Sequence, residues 1–274
     1  MQKETFIKQY AAGLNPQQLA AVQAVHGPVL LLAVPGSGKT TVLVTRLGYM
    51  VLCCDVPPAQ ILTMTYTVAA THEMRGRFAA RFGAELAGQM TFRTINGLSA
   101  VILQYYSRVY GRRQPELLTN EGDITRMLTD IWQQVNREFP TESTLKELRT
   151  AITYIKNMAL TDEEIEGLET DLASLPELYR RYQAALKRAG QMDYDDQMVF
   201  ALQILRAAPP VLAYFQQRYK YFCVDESQDT SKIQHEIIRL LAGRSLNLFM
   251  VGDEDQSIYG FRAAYPQALM DFEQ

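Results

Sequence analysis

The segment that most restricts this chain is Ala33-Val34-Pro35-Gly36-Ser37-Gly38-Lys39-Thr40. It follows the apolar run Val29-Leu30-Leu31-Leu32 and leads into a stretch, Thr40 to Leu52, whose apolar residues Val42, Leu43, Leu47 and Met50 recur at helical spacing. A glycine-rich turn that leaves a buried strand and opens a helix is the setting of a phosphate-binding loop. Its glycines let successive backbone N–H groups face the phosphates, the helix N-terminus adds partial positive charge, and Lys39 adds a full one. Thr40 is then positioned to place its hydroxyl on Mg²⁺. The predicted nucleotide-binding residues here are Pro35, Gly36, Ser37, Gly38, Lys39, Thr40 and Thr41.

Further apolar runs at Ile61–Thr65, Met90–Phe92, Tyr221–Val224 and Leu248–Val251 read as strands, each separated from the next by helical stretches. Alternation of this kind predicts an α/β fold with a parallel sheet and crossover helices. From Gly111 to about Gln191 the character changes. The periodic stretches Ile124–Val135, Leu145–Met158 and Leu175–Ala189 carry mixed charge and no strand-like runs, which predicts an inserted all-helical subdomain. The expected division is residues 1–110 and 191–274 as two parts of one α/β domain, with 111–190 inserted between them.

Two acidic segments leave predicted strands. In Val224-Asp225-Glu226-Ser227-Gln228-Asp229, a carboxylate at the C-terminal end of a parallel strand faces the same sheet edge as the phosphate loop. Asp225 is suited to hold Mg²⁺ through water and Glu226 to polarise an attacking water as general base. In Val251-Gly252-Asp253-Glu254-Asp255-Gln256-Ser257-Ile258-Tyr259-Gly260-Phe261-Arg262, Gln256 is expected to reach a γ-phosphate. Tyr259, Phe261 and Arg262 offer stacking surfaces and a cation for a nucleic-acid base. The candidate catalytic residues are therefore Lys39, Asp225, Glu226 and Gln256, with Thr40 and Asp225 on the metal. Lys39 and Asp225 lie 186 residues apart, a separation that the helical insertion accounts for.

Composition narrows the function classes. Residues 1–120 hold 11 Lys and Arg against 5 Asp and Glu, whereas the rest of the chain is acidic enough to bring the net charge to −3. A basic half is compatible with a polyanionic partner. No apolar run reaches the roughly 18 residues that would span a bilayer, and MQKETFIKQY lacks the apolar core of a signal peptide, so a cytoplasmic protein without membrane contact is expected. Cys53, Cys54 and Cys223 lie in apolar stretches and read as core residues; with His26, His72 and His235 scattered singly, no metal cage built from protein ligands is indicated.

Together these motifs resemble the UvrD/Rep family of superfamily 1 DNA helicases. Leu14-Asn15-Pro16-Gln17-Gln18 resembles the family's glutamine motif, with Gln18 at the adenine-reading position. GSGKT, VDESQDT and VGDEDQSIYGFRAA resemble its motifs I, II and III. Thr65-Tyr66-Thr67 with Ala70, Glu73 and Met74, and then Thr94-Ile95-Asn96-Gly97-Leu98, resemble segments that touch single-stranded DNA, which marks Thr65, Tyr66, Thr94 and Asn96 as DNA-binding candidates beside Tyr259, Phe261 and Arg262. The resemblance implies a RecA-like P-loop NTPase domain (1A) carrying a helical subdomain (1B), ATP and Mg²⁺ as ligands, and a 3′ to 5′ DNA helicase or translocase activity. Gln191-Met192-Asp193-Tyr194-Asp195-Asp196 resembles the segment that re-enters the core; it reads equally as a helix cap or as part of the catalytic apparatus.

Departures from the family pattern are Thr41 for an arginine, Val68-Ala69 for Asn-Lys, Asn96 for a histidine and Phe261 for a tryptophan. They leave the nucleotide chemistry intact and weaken the DNA contacts. The family's second RecA-like domain, with its arginine fingers, is expected to come from a further part of the same gene or from another chain. Without it the chain should bind Mg·ATP far better than it hydrolyses it. Alternatives are a non-catalytic ATP-gated DNA- or protein-binding module and part of a RecB-like helicase–nuclease.

Overall fold

The computed structural model describes residues 1–34, 36–172 and 174–253. Its centre is a five-stranded sheet of β1 (Val29–Leu32), β2 (Ile61–Thr65), β3 (Thr91–Thr94), β6 (Tyr221–Val224) and β7 (Leu248–Gly252), ordered β1-β7-β6-β2-β3. Every pairing is parallel, with Val29 opposite Phe249, Phe222 opposite Leu248, Ile61 opposite Tyr221 and Leu62 opposite Thr91. The C-terminal ends of all five strands therefore share one edge, from which the phosphate loop and both acidic segments depart. That is where open α/β sheets collect ligands.

Parallel strands covered on both faces need apolar side chains on both. Leu62, Met64, Phe222, Val224, Leu248 and Met250 point into one core. Their alternating neighbours Ile61, Cys223, Phe249 and Val251 point into another. Helices α1 (Lys3–Phe6), α2 (Pro16–Gln23), α3 (Lys39–Cys53), α4 (Val68–Phe82) and α5 (Ala84–Gln89) belong to the second of these layers. The first is covered by α6 (Ile95–Tyr110) and, after the insertion, by α11 (Tyr194–Ala207), α12 (Pro209–Arg218) and α13 (Lys232–Ala242).

The insertion comprises α7 (Glu121–Asn136), α8 (Glu142–Asn157), α9 (Asp162–Glu166) and α10 (Leu175–Ala189), packed around their own cluster, which includes Leu128, Trp132, Leu148, Ile155, Leu178 and Tyr182. At its neck a short parallel pair, β4 (Glu116–Leu117) and β5 (Gln191–Met192), closes the two chain crossings. This corrects the expectation that the segment holds no strand. Two-residue strands are too short to show any period in sequence.

Local capping explains where the helices begin. Asn15 and Gln18 form a reciprocal capping box ahead of Pro16, and Thr67, Thr94, Thr141 and Asp193 each accept a backbone N–H of the following turn. The buried Arg46 on α3 donates to the carbonyls of Ala21, Ala24 and Val25 and lies 4.3 Å over the Phe249 ring. Its charge is thereby matched to the carbonyl end of α2, which fixes that helix beside the phosphate loop.

Cys223 is buried as expected, but Cys53 and Cys54 at the end of α3 are partly exposed. The apolar run around them marks a helix end, and its last turn emerges from the core. Among the described residues no single helix is long and apolar enough to cross a membrane.

His235 on α13 supplies a pH dependence. Burial lowers its pKa to about 4, so the unfolded chain takes up the proton first as the solution is acidified. Its contribution to stability is therefore complete above about pH 6.5 and lost progressively down to about pH 4, by up to about 3 kcal/mol. Urea unfolding of wild type and His235→Leu should accordingly differ in pH response, the variant losing less stability between neutral and acidic buffer. Parallel curves would exclude His235 as a source of acid lability.

Candidate nucleotide-binding site

Three strand ends build the site. The backbone N–H of Ala33, just past β1, donates to the Gly252 carbonyl at 3.1 Å, which ties the start of the phosphate loop to the end of β7. Gly38 caps α3 at φ 85°, a left-handed conformation that a side chain would strain. Lys39 and Thr40 follow as the first residues of α3, so their side chains rise from the helix N-terminus. With Gly36, Gly38 and Thr41 they line one side of a cavity of about 500 Å³. Glu226, Gln228, Asp229 and Asp253 line the other side, and Arg77 of α4 reaches its rim.

The Lys39 amine donates to Asp253 Oδ2 at 3.4 Å and to the Ala33 carbonyl at 3.3 Å. The Asp225 backbone N–H donates to the Met64 carbonyl at 2.9 Å, and its own Oδ1 accepts the Glu226 N–H at 3.1 Å. Asp225 is only 8% exposed. Burial, and secondarily the Glu226 charge, push its pKa up to about 6 against the opposing pull of the Glu226 backbone N–H and, after it, of Lys39. The Thr40 hydroxyl and the Glu226 carboxylate line the cavity, and the Asp225 carboxylate is buried next to Glu226, so the oxygen donors present are of the kind a hard divalent cation takes. Glu226 itself sits in the left-handed region at φ 52°, ψ 45°, which turns its carboxylate into the cavity wall.

Gln18 accepts the Asn15 N–H at 3.0 Å through Oε1 and donates to the Ser37 carbonyl at 2.9 Å through Nε2. It thus links the helix cap to the phosphate loop. Pro35, Gln256, Tyr259, Phe261 and Arg262 lie outside the described residues.

A second groove, of about 1690 Å³, runs between the C-terminal ends of β2 and β3 and the insertion. Thr65, Tyr66, Thr94 and Asn96 all line it, but they are not equivalent. Thr65 is 3% exposed, with its hydroxyl bonded to Thr67 and Thr71, and Thr94 is the N-cap of α6. Asn96 donates to the Tyr194 carbonyl at 3.1 Å. Tyr66, 43% exposed, is the ring of this set that is open to a ligand. Lys146, Arg149 and Tyr154 of α8 form the facing wall, and Tyr194 of α11 lies at the junction.

Residues 14–274 match the sequence profile of the UvrD/REP helicase N-terminal domain. The chain belongs to the UvrD/REP helicase family. It is 35% identical over 267 residues to the ATP-dependent DNA helicase PcrA of Leuconostoc citreum, covering 95% of this chain and 35% of that protein. The PcrA proteins of Staphylococcus epidermidis and Staphylococcus aureus are each 34% identical over 95% of this chain. The chain spans about a third of the length of these relatives. The five-stranded parallel sheet with helices on both faces is the RecA-like architecture expected of the family.

Sequence reasoning missed Arg77, Gln228, Asp229, Asp253 and the α8 wall of the groove. Gln228, Asp229 and Asp253 stood inside quoted motifs and were open to detection by their adjacency to strand ends. Arg77 gave no signal beyond a cation in the basic half, because its approach to the cavity depends on how α4 packs.

Proposed function

We propose that this chain is the ATP-binding portion of an ATP-dependent DNA helicase or translocase, acting 3′ to 5′ on single-stranded DNA in the cytoplasm. Residues 1–110 and 191–274 act as domain 1A and residues 111–190 as domain 1B. The carrying observation is that Lys39 and Glu226, far apart in sequence, line one cavity at the strand edge, with Asp225 buried beside it.

In this reading the backbone of Gly36, Ser37 and Gly38 cradles the phosphates, and Lys39 leaves Asp253 to meet the β- and γ-phosphates. Thr40 and Asp225 would hold Mg²⁺, which when bound neutralises developing charge on the transferring phosphoryl group. Glu226 orients the attacking water and accepts its proton. Gln18 reads the adenine, Thr41 borders the nucleotide, and Arg77 adds a cation to the phosphate side. Gln256 senses the γ-phosphate. Single-stranded DNA follows the groove past Tyr66, Thr94 and Asn96, and Tyr259, Phe261 and Arg262 add rings and a cation on which its bases stack.

Full hydrolysis needs a second RecA-like domain, whose arginines are worth about 10³ to 10⁵ in rate. The test is Mg·ATP hydrolysis by the full-length gene product with and without a single-stranded oligonucleotide. Stimulation of about tenfold or more is expected, lost as salt rises because phosphate contacts release counterions. Hydrolysis indifferent to the oligonucleotide at every salt concentration would overturn the reading.

A further inference from the structure

Gln228 is buried, and both ends of its side-chain amide are used by groups on two different strand ends. Its Nε2 donates to Glu226 Oε2 at 2.5 Å. Its Oε1 accepts the Asp253 backbone N–H at 3.0 Å. The first is a charge-assisted bond to the carboxylate assigned above to the attacking water, and the second grips the residue that holds Lys39. We propose that Gln228 is the positioning residue that aims the Glu226 carboxylate into the nucleotide cavity and couples it to the end of β7. This rests on the hydrolytic reading of the site.

Two independent features of the structure carry it. Glu226 occupies a left-handed conformation without being glycine, and such strain persists only where the surroundings over-determine it. Here Asp225 Oδ1 takes its N–H and Gln228 takes its carboxylate, so the residue is held at both ends. In addition, the end of β7 is pressed against this turn. A Cβ at Gly252 would stand 2.5 Å from Ser227 Oγ and 3.3 Å from Gln228 Oε1, so only glycine allows the approach that the Asp253–Gln228 bond requires. A glutamine placed for packing alone would need neither bond, and a methionine would fill its volume.

The experiment compares Gln228→Met, Gln228→Asn, Gly252→Ala and Lys39→Ala in the full-length gene product with single-stranded DNA present. Steady-state hydrolysis and Mg·ATP affinity are both measured. Removing an alignment contact should lower kcat by about 30- to 100-fold in Gln228→Met and Gln228→Asn while KM and nucleotide Kd stay within about threefold, since the amide acts on Glu226 and the phosphates are held elsewhere. Gly252→Ala should show the same split. Retained nucleotide affinity reports folding, and Gln228→Asn, which keeps an amide but cannot span both partners, serves if the methionine variant fails to fold. An unchanged kcat, or affinity falling as far as kcat, would overturn the role of Gln228. Lys39→Ala that still hydrolyses at the wild-type rate would instead overturn the hydrolytic reading itself.

Discussion

Replacing Lys156 by methionine is expected to destabilise the protein by about 3–5 kcal/mol, far more than any surface ion pair of this chain is worth. The Lys156 amine lies 2.6 Å from Asp193 Oδ2 and 2.8 Å from Asp196 Oδ1, and its side chain is almost wholly buried. The Tyr182 hydroxyl donates to Asp193 Oδ2 at 3.1 Å, and its ring lies 5.2 Å from the amine. Next to this cluster, Asp195 accepts from Asn157 at 2.8 Å and from Thr153 at 2.9 Å. Lys156, Asn157, Thr153 and Tyr182 belong to the helical insertion, whereas the three aspartates open α11, which packs against α6 and α13 of the α/β domain.

One lysine thus pins the insertion onto the RecA-like domain. Without it, Asp193 and Asp196 are buried carboxylates with no cation. Burial already raises the pKa of Asp195 and Asp196, so in the variant these groups should take up protons and the deficit should shrink as pH falls. Lys156→Met combined with Asp196→Asn should recover part of the loss, because fewer carboxylates then lack a partner. Urea unfolding of the single and double variants at neutral and acidic pH measures each effect. A single variant as stable as wild type at neutral pH would mean that the cluster does not hold the insertion in place. Thr153, Asn157 and Asp195 also line the groove between insertion and sheet, so oligonucleotide affinity should fall with the single variant.

The legible part of this molecule was the part governed by backbone chemistry. A buried strand followed by Gly-Ser-Gly-Lys-Thr has few conformations available, and the parallel sheet puts everything at its C-terminal edge together once the alternation of strands and helices is read. The acidic turn after β6 was placed on that edge for the same reason. What stayed hidden depends on tertiary packing. The bond from Lys39 to Asp253, the double grip of Gln228 and the approach of Arg77 follow from how β7 and α4 lie against the loop, and no local period encodes them. The Asp-rich segment before α11 left two readings open. Asp193 caps the helix through Oδ1 and meets the insertion through Oδ2 at Lys156, a partner 37 residues away that local spacing does not reveal.

In the proposed function a triphosphate and its metal lie between the lysine-bearing turn and the acidic ends of β6 and β7. Titrating a non-hydrolysable ATP analogue into wild type, Lys39→Ala and Asp225→Asn, each with and without Mg²⁺, tests it most directly. Loss of the Lys39 charge should weaken binding by about 100-fold whether or not the metal is present, because a charged contact to the phosphates is removed in both cases. Asp225→Asn should leave metal-free binding nearly intact and remove most of the gain that Mg²⁺ confers. Equal affinities for all three proteins, with Mg²⁺ making no difference to any of them, would mean that the nucleotide does not bind there.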